Sequence, residues 1–229
     1  VVLNRQRVFA VILGQVRSQG RANGVNQLFP VDDGHKRVVV RIGLGEATRK
    51  LTSVNSILAP IRITPKTQFM IETPRLTLIP LTVGQVRLHI AGGTLLEEAM
   101  GVRPGHREAP EPLLSIIRAF TIPFLENPAR QPIYDTVWVA LDRELNQFVA
   151  DVKFKGEPDD EQTVELGYGT YPAFRRRGYM TEIVGGLTTW ALAQTGLNRV
   201  TAETALTNGA SQAVLQANGF TLFEQDNYV

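Results

Sequence analysis

The stretch Glu165-Leu166-Gly167-Tyr168-Gly169-Thr170-Tyr171-Pro172-Ala173-Phe174-Arg175-Arg176-Arg177-Gly178-Tyr179-Met180 joins a strand pattern to a helix pattern through a short loop. Three arginines and a glycine stand where the helix begins. The first N–H groups of a helix have no partner within it and lie at the positive end of its dipole. Glycine lets that backbone approach an anion, and arginine adds charge-assisted hydrogen bonds. The stretch therefore fits a pyrophosphate cradle. It fits equally well a solvated basic turn that only opens a helix, and alone it does not choose between the two.

Its surroundings shift the balance. Gly167 and Gly169 flank Tyr168 near the strand end, a place for a bulge or for a ligand that comes close to the backbone. A strand that splays from its neighbour exposes N–H and C=O groups with which an amide-bearing ligand can pair. Downstream, Asn208, Ser211 and Leu215 fall at helical spacing on one face of a predicted helix. That face borders the same cleft if the stripe of Ala210, Ala213, Val214 and Ala217 is the buried side.

Around this centre the periodicities predict an α+β fold, a mostly antiparallel mixed sheet with helices on both faces. Leu76–Pro80 reads as a first strand. Helical regions follow over Thr82–Met100 and Glu111–Leu125, the second broken near Pro123, with a Pro/Gly-rich loop Arg103–Pro112 between them. Strand patterns over Tyr134–Leu141, Gln147–Lys155 and Thr163–Tyr171 form an antiparallel meander, turned at Asp142–Asn146 and Gly156–Glu161. A helix runs from Met180 to about Gln194, a strand over Asn198–Ala205, a helix over Asn208–Ala217, and a strand from Phe220 to Glu224 after the stop Asn218-Gly219.

The run Arg175-Arg176-Arg177-Gly178-Tyr179-Met180 resembles the R/Q-x-x-G-x-G/A signature of the GNAT N-acetyltransferase superfamily. Asn208, Ser211, Leu215 and Asn218-Gly219-Phe220 match the family's later pattern, and Glu72-Thr73-Pro74-Arg75-Leu76 is similar to the opening of the ribosomal-protein N-terminal (alanine) acetyltransferase branch. The resemblance covers most of residues 70–229. It implies acetyl-CoA as co-substrate and an amine acceptor, a protein N-terminus or a small molecule. Arg175, Arg176, Arg177, Gly178, Tyr179 and Met180 would form the pyrophosphate loop. Tyr168, Gly169 and Thr170 would meet pantetheine or the thioester, and Asn208 and Ser211 would border the cofactor arm. Two departures stand out: Met180 replaces the usual Gly or Ala, and Leu215 stands where many relatives have a proton-donating tyrosine. The sequence stops at Val229, within or just before an expected final strand, so part of the acceptor site is expected to lie beyond it.

The reaction so implied is direct attack of a neutral amine on the thioester carbonyl, with strand N–H groups stabilising the oxyanion. A base must take the amine's proton. Glu165, on the splayed strand, is the candidate, with Asp151 on the preceding strand in reserve and a structurally paired surface glutamate as the bland alternative. Two other functions compete: a noncatalytic acyl-CoA-binding module of the same fold, and a nucleic-acid-binding protein. The second would need a steep salt dependence.

Composition narrows the field further. The chain has no cysteine, so disulfides, zinc–thiolate sites and cysteine nucleophiles are excluded. His35, His89 and His106 are far apart and show no metal-ligand spacing. The run Val8–Leu13 is far too short to span a bilayer, and the cytoplasm is the expected location. The net charge of +2 divides unevenly. Residues 1–69 hold 11 basic and 3 acidic residues, a surplus of eight positive charges; residues 70–229 carry a net −6. The first methionine is Met70, and residues 1–69 lack Trp and Tyr. They are expected to be a basic extension outside the catalytic domain, which would occupy 70–229. Within them Val8–Val16 and Val38–Leu44 read as loop or weak strand. A transit peptide would carry more serine, and a nucleic-acid arm more interleaved aromatics, so nucleic acid is not an expected partner.

Overall fold

The computed structural model describes residues 37–45, 69–105, 107, 109 and 111–226. The meander forms as its alternation predicts. Strands β4 (Trp138–Asp142), β5 (Gln147–Phe154) and β6 (Thr163–Thr170) pair antiparallel in sequence order. The β4–β5 turn is set locally. Asp142 Oδ1 accepts the N–H groups of Glu144 and Leu145, each at 2.9 Å, and Asn146 takes a left-handed φ of 51°. Asn tolerates that region better than most residues. On the outer side of β4 lie β3 (Leu76–Pro80), buried at all five positions, and the two-residue β2 (Ile71–Glu72).

On the other side, β6 meets β7 (Arg199–Ala205) in parallel. Their connection is the long helix α6 (Tyr179–Leu192), as a parallel crossover requires. Beyond β7 come β1 (Arg37–Gly43) and then β8 (Thr221–Asp226), so the eight-stranded order is β2-β3-β4-β5-β6-β7-β1-β8.

The strand β1 comes from within the segment read as a basic extension. Residues 37–43 pair antiparallel with all of β7 on one edge and with β8 on the other, and Val38, Val40 and Ile42 are buried. The alternation Val38, Val40, Ile42 carries the period of a strand, and of the two readings of Val38–Leu44, loop or weak strand, the strand is the one formed. Val8–Val16 lies outside the described residues.

Two helices replace the predicted 82–100 helix. The first, α1 (Val83–Ala91), opens on a capping box in which Thr82 and Gln85 satisfy each other's backbone N–H groups. It ends at Gly92 and Gly93, with φ of 81° and 59°, and α2 (Leu95–Met100) follows. The 111–125 region passes from α3 (Glu111–Ile116) through a π-helical turn (Ile117–Thr121) into α4 (Ile122–Leu125). The break falls just ahead of Pro123, which has no N–H for the helical ladder. Glu111 and Pro112 thus belong to the helix, not to the loop. Residues Pro132–Asp135 form a helical turn, α5, where a strand was expected, because Pro132 supplies a helical φ at its first position.

Residues directly opposite on paired strands point to the same side of the sheet. Trp138, Val152, Phe154, Leu166 and Tyr168 share the back face, where Trp190 of α6 stacks on Trp138 and Phe154 at 5.7 and 5.9 Å between ring centroids. The last helix, α7 (Gly209–Ala217), lies on this side too. Asp151, Lys153, Lys155, Glu165, Gly167 and Gly169 share the front face, under α1 and the π-helical turn.

Candidate active site

The β6–β7 pairing runs from Thr163–Arg199 to Leu166–Ala202 and stops there, while β6 continues to Thr170 and β7 to Ala205. The two strands part, and Gly167–Thr170 run along one edge of the opening. Their other edge stays paired with β5 through to Thr170–Ala150, so the splayed segment is held straight. The separation lies where Gly167 and Gly169 bracket Tyr168, as the sequence suggested.

At the end of β6 the chain makes a 3-10 turn, Pro172–Phe174, and then the arginine run. Arg175, Arg176, Arg177 and Gly178 are exposed. Arg176 and Gly178 both have left-handed φ, 60° and 75°, so the chain turns sharply twice before the helix starts. Gly178 is the N-cap of α6 and provides no side-chain cap, and the first helical hydrogen bond is Glu182 N–H to Gly178 C=O at 3.2 Å. The leading N–H groups of α6 are therefore left for another acceptor. Tyr179 and Met180 have their side chains buried, so they would offer a ligand backbone only. Arg175 Nε donates to Thr170 C=O at 3.3 Å, which brings its guanidinium back to the mouth of the strand opening.

The start of α6 is anchored from below. Glu182 accepts hydrogen bonds from Thr73 Oγ1 at 2.6 Å and from Arg75 N–H and Nε at 2.7 Å each. Burial pushes the Glu182 carboxyl up, but these donors together hold it below the usual carboxylate range. Arg75 also donates to Arg177 C=O at 3.0 Å and stacks over Tyr179 at 4.7 Å, and Tyr179 OH donates to Asp142 at 2.6 Å. The opening motif Thr73-Pro74-Arg75 thus splints the turn that carries the three arginines.

The opposite wall is α7. Asn208 caps it, its side chain accepting Ser211 N–H at 3.1 Å. The hydroxyls of Tyr168 and Ser211 meet at 2.9 Å, joining β6 to α7 beside the strand opening. Burial pushes the Tyr168 phenol up to about 12, and its bond to Ser211 offsets only part of this. Of the stripe expected to be buried on α7, Val214 packs partly buried against the core but the alanines do not. Ala210, Ala213 and Ala217 are exposed, while Leu215, on the Asn208–Ser211 face, is 1% exposed. Leu215 contributes more apolar area than any single alanine of the stripe, and the helix turns it inward. Leu215 is a core residue and offers no proton.

Glu165 lies one pair short of the opening, in register with Thr201, and its carboxylate is bonded to Lys155. This geometry does not favour it as the base. Asp151 sits opposite Gly169, four residues further along β6 than Glu165, and is 2% exposed. Its Oδ1 accepts from Tyr171 OH, and its Oδ2 lies 3.4 Å from His89 Nε2 without hydrogen-bond geometry. His89 Nδ1 is in turn 3.1 Å from Arg107, whose guanidinium also binds Glu97 at 3.0 and 3.2 Å. No spacing in the sequence announces this buried network, because α1, α2, a loop, β5 and the end of β6 each supply one member. Among the described residues no group of three or more His, Cys, Asp or Glu side chains could hold a metal ion, and no helix is long and apolar enough to cross a membrane.

A family model for the acetyltransferase (GNAT) domain matches residues 75–221. This chain belongs to the GNAT family. The curated "Uncharacterized N-acetyltransferase YjdG" of Bacillus subtilis (strain 168) is 33% identical to this chain over 85 residues, which is 37% of this chain and 51% of that protein. The chain thus matches about half the length of that relative. Solved structures of similar fold include a putative ribosomal-protein-serine acetyltransferase from Vibrio cholerae, 20% identical, covering 69% of this chain and 84% of that one at a TM-score of 0.45. The RimL ribosomal-protein acetyltransferase in complex with coenzyme A is another, 19% identical, covering 68% and 85% at a TM-score of 0.48.

Proposed function

We propose that the protein is an N-acetyltransferase that moves the acetyl group of acetyl-CoA directly to an amine. The observation that carries the reading is the parting of β6 and β7 beside an uncapped helix start that three arginines precede. These residues fit the co-substrate. The leading N–H groups of α6, with Arg175, Arg176 and Arg177, suit a pyrophosphate. The free edge of Gly167–Thr170 suits the amides of a pantetheine arm, and an N–H there would donate to the acetyl oxygen as negative charge develops. Acetyl-CoA supplies the activated acyl group. Tyr168 and Ser211 fix the spacing between β6 and α7, and Asn208 keeps the start of α7 in register.

The amine acceptor belongs to the same proposal: a protein N-terminus, for which the resemblance of Glu72-Thr73-Pro74-Arg75-Leu76 to the ribosomal-protein acetyltransferase branch speaks, or a small molecule. The test is an acceptor screen with acetyl-CoA that includes peptides with free N-termini, polyamines and small amines, reading acetyl addition by mass and thiol release in parallel. Acetylated peptide with matching thiol release supports the reading. Tight acetyl-CoA binding with no transfer to any amine would favour the alternative, a noncatalytic acyl-CoA-binding module, for which the buried Leu215 and the engaged Glu165 speak.

A further inference from the structure

The front face of β5 and β6 carries three couplings toward the opening: Lys155 with Glu165, whose C=O accepts the Lys155 N–H at 2.8 Å just past the end of β5, then the strand pairs Lys153–Gly167 and Asp151–Gly169. The first is closed by its ion pair, below the point where β6 leaves β7. The other two lie beside the splayed segment. Glycine at 167 and 169 puts no side chain on this face, so Lys153 and Asp151 are the functional groups nearest the splayed backbone from β5. Asp151 is committed to Tyr171 and lies against His89. Lys153 differs. Its Nζ donates to the hydroxyl of Thr121 in the π-helical turn, at 3.0 Å, and no carboxylate pairs with it among the described residues. The other charged groups around it are engaged. Asp135 of α5 is held by Arg130 through two bonds of 2.6 and 2.7 Å, and Lys155 by Glu165. An ammonium buried without a carboxylate is costly, and a lysine in that state readily gives up its charge.

We infer that Lys153 is the base of the transfer reaction, its neutral Nζ taking the proton from the acceptor's ammonium group at the splayed end of β6. This deepens the acetyltransferase reading and rests on it. Burial lowers the Lys153 amine to about 8, with Asp135 opposing and Lys155 adding to the effect, so a useful fraction is neutral near physiological pH. Perturbed lysines of this kind serve as bases when they sit in a reaction site. Lys153 is 9% exposed, and the helix layer covers it. The balance closes. The ammonium proton passes to Nζ, and the freed amine forms the N–C bond. The C–S bond breaks with its electron pair going to sulfur. The proton shed by the attacking nitrogen neutralises the thiolate, and Lys153 returns its own proton to water.

The experiment compares wild type with Lys153→Met, similar in size but unable to take a proton, and Lys153→Arg, which stays protonated. Both should lose about 100-fold in kcat/KM, at the low end of what a positioned base contributes. Their acetyl-CoA affinity should stay within about 2-fold of wild type, since neither lies in the arginine turn. The wild-type rate should rise with pH through an inflection near 8 that both variants lack. Independently of turnover, trace labelling with acetic anhydride across pH, read by peptide mass, should give Lys153 a midpoint near 8. Variants within about 3-fold of wild type with the same inflection overturn the assignment while leaving the acetyltransferase reading intact, as does a labelling midpoint in the ordinary lysine range. A wild type that binds acetyl-CoA but acetylates no amine overturns both.

Discussion

The phenol of Tyr168 and the hydroxyl of Ser211 are 2.9 Å apart, and this contact joins the splayed strand to the helix beside it. The phenol is mostly buried and kept neutral, so the contact holds β6 and α7 together without bringing a charge to the strand opening.

Removing that contact should loosen the cleft without undoing the fold. Tyr168→Phe deletes one neutral hydrogen bond and is expected to cost about 0.5–1.5 kcal/mol of stability. Ultraviolet titration should show one tyrosine of the wild type ionising near 12 that is missing in the variant. Because the folded-state value is raised above the ordinary 10, the folded chain holds this proton more tightly than the unfolded chain does. Its contribution to stability is complete below pH 10 and is lost as pH rises from 10 toward 12. A variant with the same alkaline unfolding curve as wild type would remove Tyr168 from that account.

Glu182 gives the opposite dependence. Its carboxyl is held below the ordinary value by Thr73 and Arg75, against the effect of burial. Its contribution is therefore present at neutral pH and is lost as pH falls through the ordinary carboxylate range and below. Glu182→Ala is expected to destabilise by about 1.5–3 kcal/mol at pH 7, the range for hydrogen bonds to a charged group, and by less at pH 3. Melting temperatures measured at both pH values check it; an equal loss at both would show that packing and not charge is responsible.

The strand β1 should matter to the whole sheet. Ile42 is 2% exposed, and Ile42→Ala is expected to cost about 2–5 kcal/mol. Urea unfolding of this variant measures it directly. A midpoint unchanged from wild type would mean that Arg37–Gly43 is dispensable for stability and that the domain is complete from residue 70.

Lys153 lends itself to a stability measurement as well. Its amine is lowered in the folded state, so the unfolded chain binds more protons between pH 8 and the ordinary value of 10.5, and folding becomes more favourable as pH rises through that window. Lys153→Met should melt higher than wild type at pH 7, because an apolar side chain avoids burying a charge, and the difference should shrink toward pH 10. Identical melting at both pH values would contradict it.

Much of this was legible in the sequence for a physical reason. Alternation over β4, β5 and β6 and the arginine–glycine run at the start of α6 are local patterns, and local patterns survive in one dimension. The side of the cleft proposed for the cofactor is built from consecutive residues and from a helix face, so Tyr168, Ser211 and Arg175 stand out together in one dimension. What escaped was non-local. Lys155 neutralises Glu165 across a strand pair, and His89, Arg107, Asp151 and Tyr171 converge from four segments. The α7 face was misread because small alanines form a regular stripe, whereas burial follows area and Leu215 has more of it. Residues 37–43 were set aside with a basic leader because net charge describes the whole segment, and the strand occupies only seven residues of it.

The most direct test of the central claim, that acetyl-CoA is held at the arginine turn and the start of α6, is calorimetric titration of acetyl-CoA into wild type, Arg175→Ala and Gly178→Val, with melting curves on the same samples. Arg175 is exposed and its side chain donates to Thr170 C=O, so its removal should leave melting nearly unchanged while weakening affinity by about 1–3 kcal/mol. Gly178 holds a φ of 75°, so valine there should cost about 1–2 kcal/mol of stability and at least as much affinity as the arginine change. Full wild-type affinity in both folded variants would contradict the account, because the ligand would then be bound elsewhere or not at all.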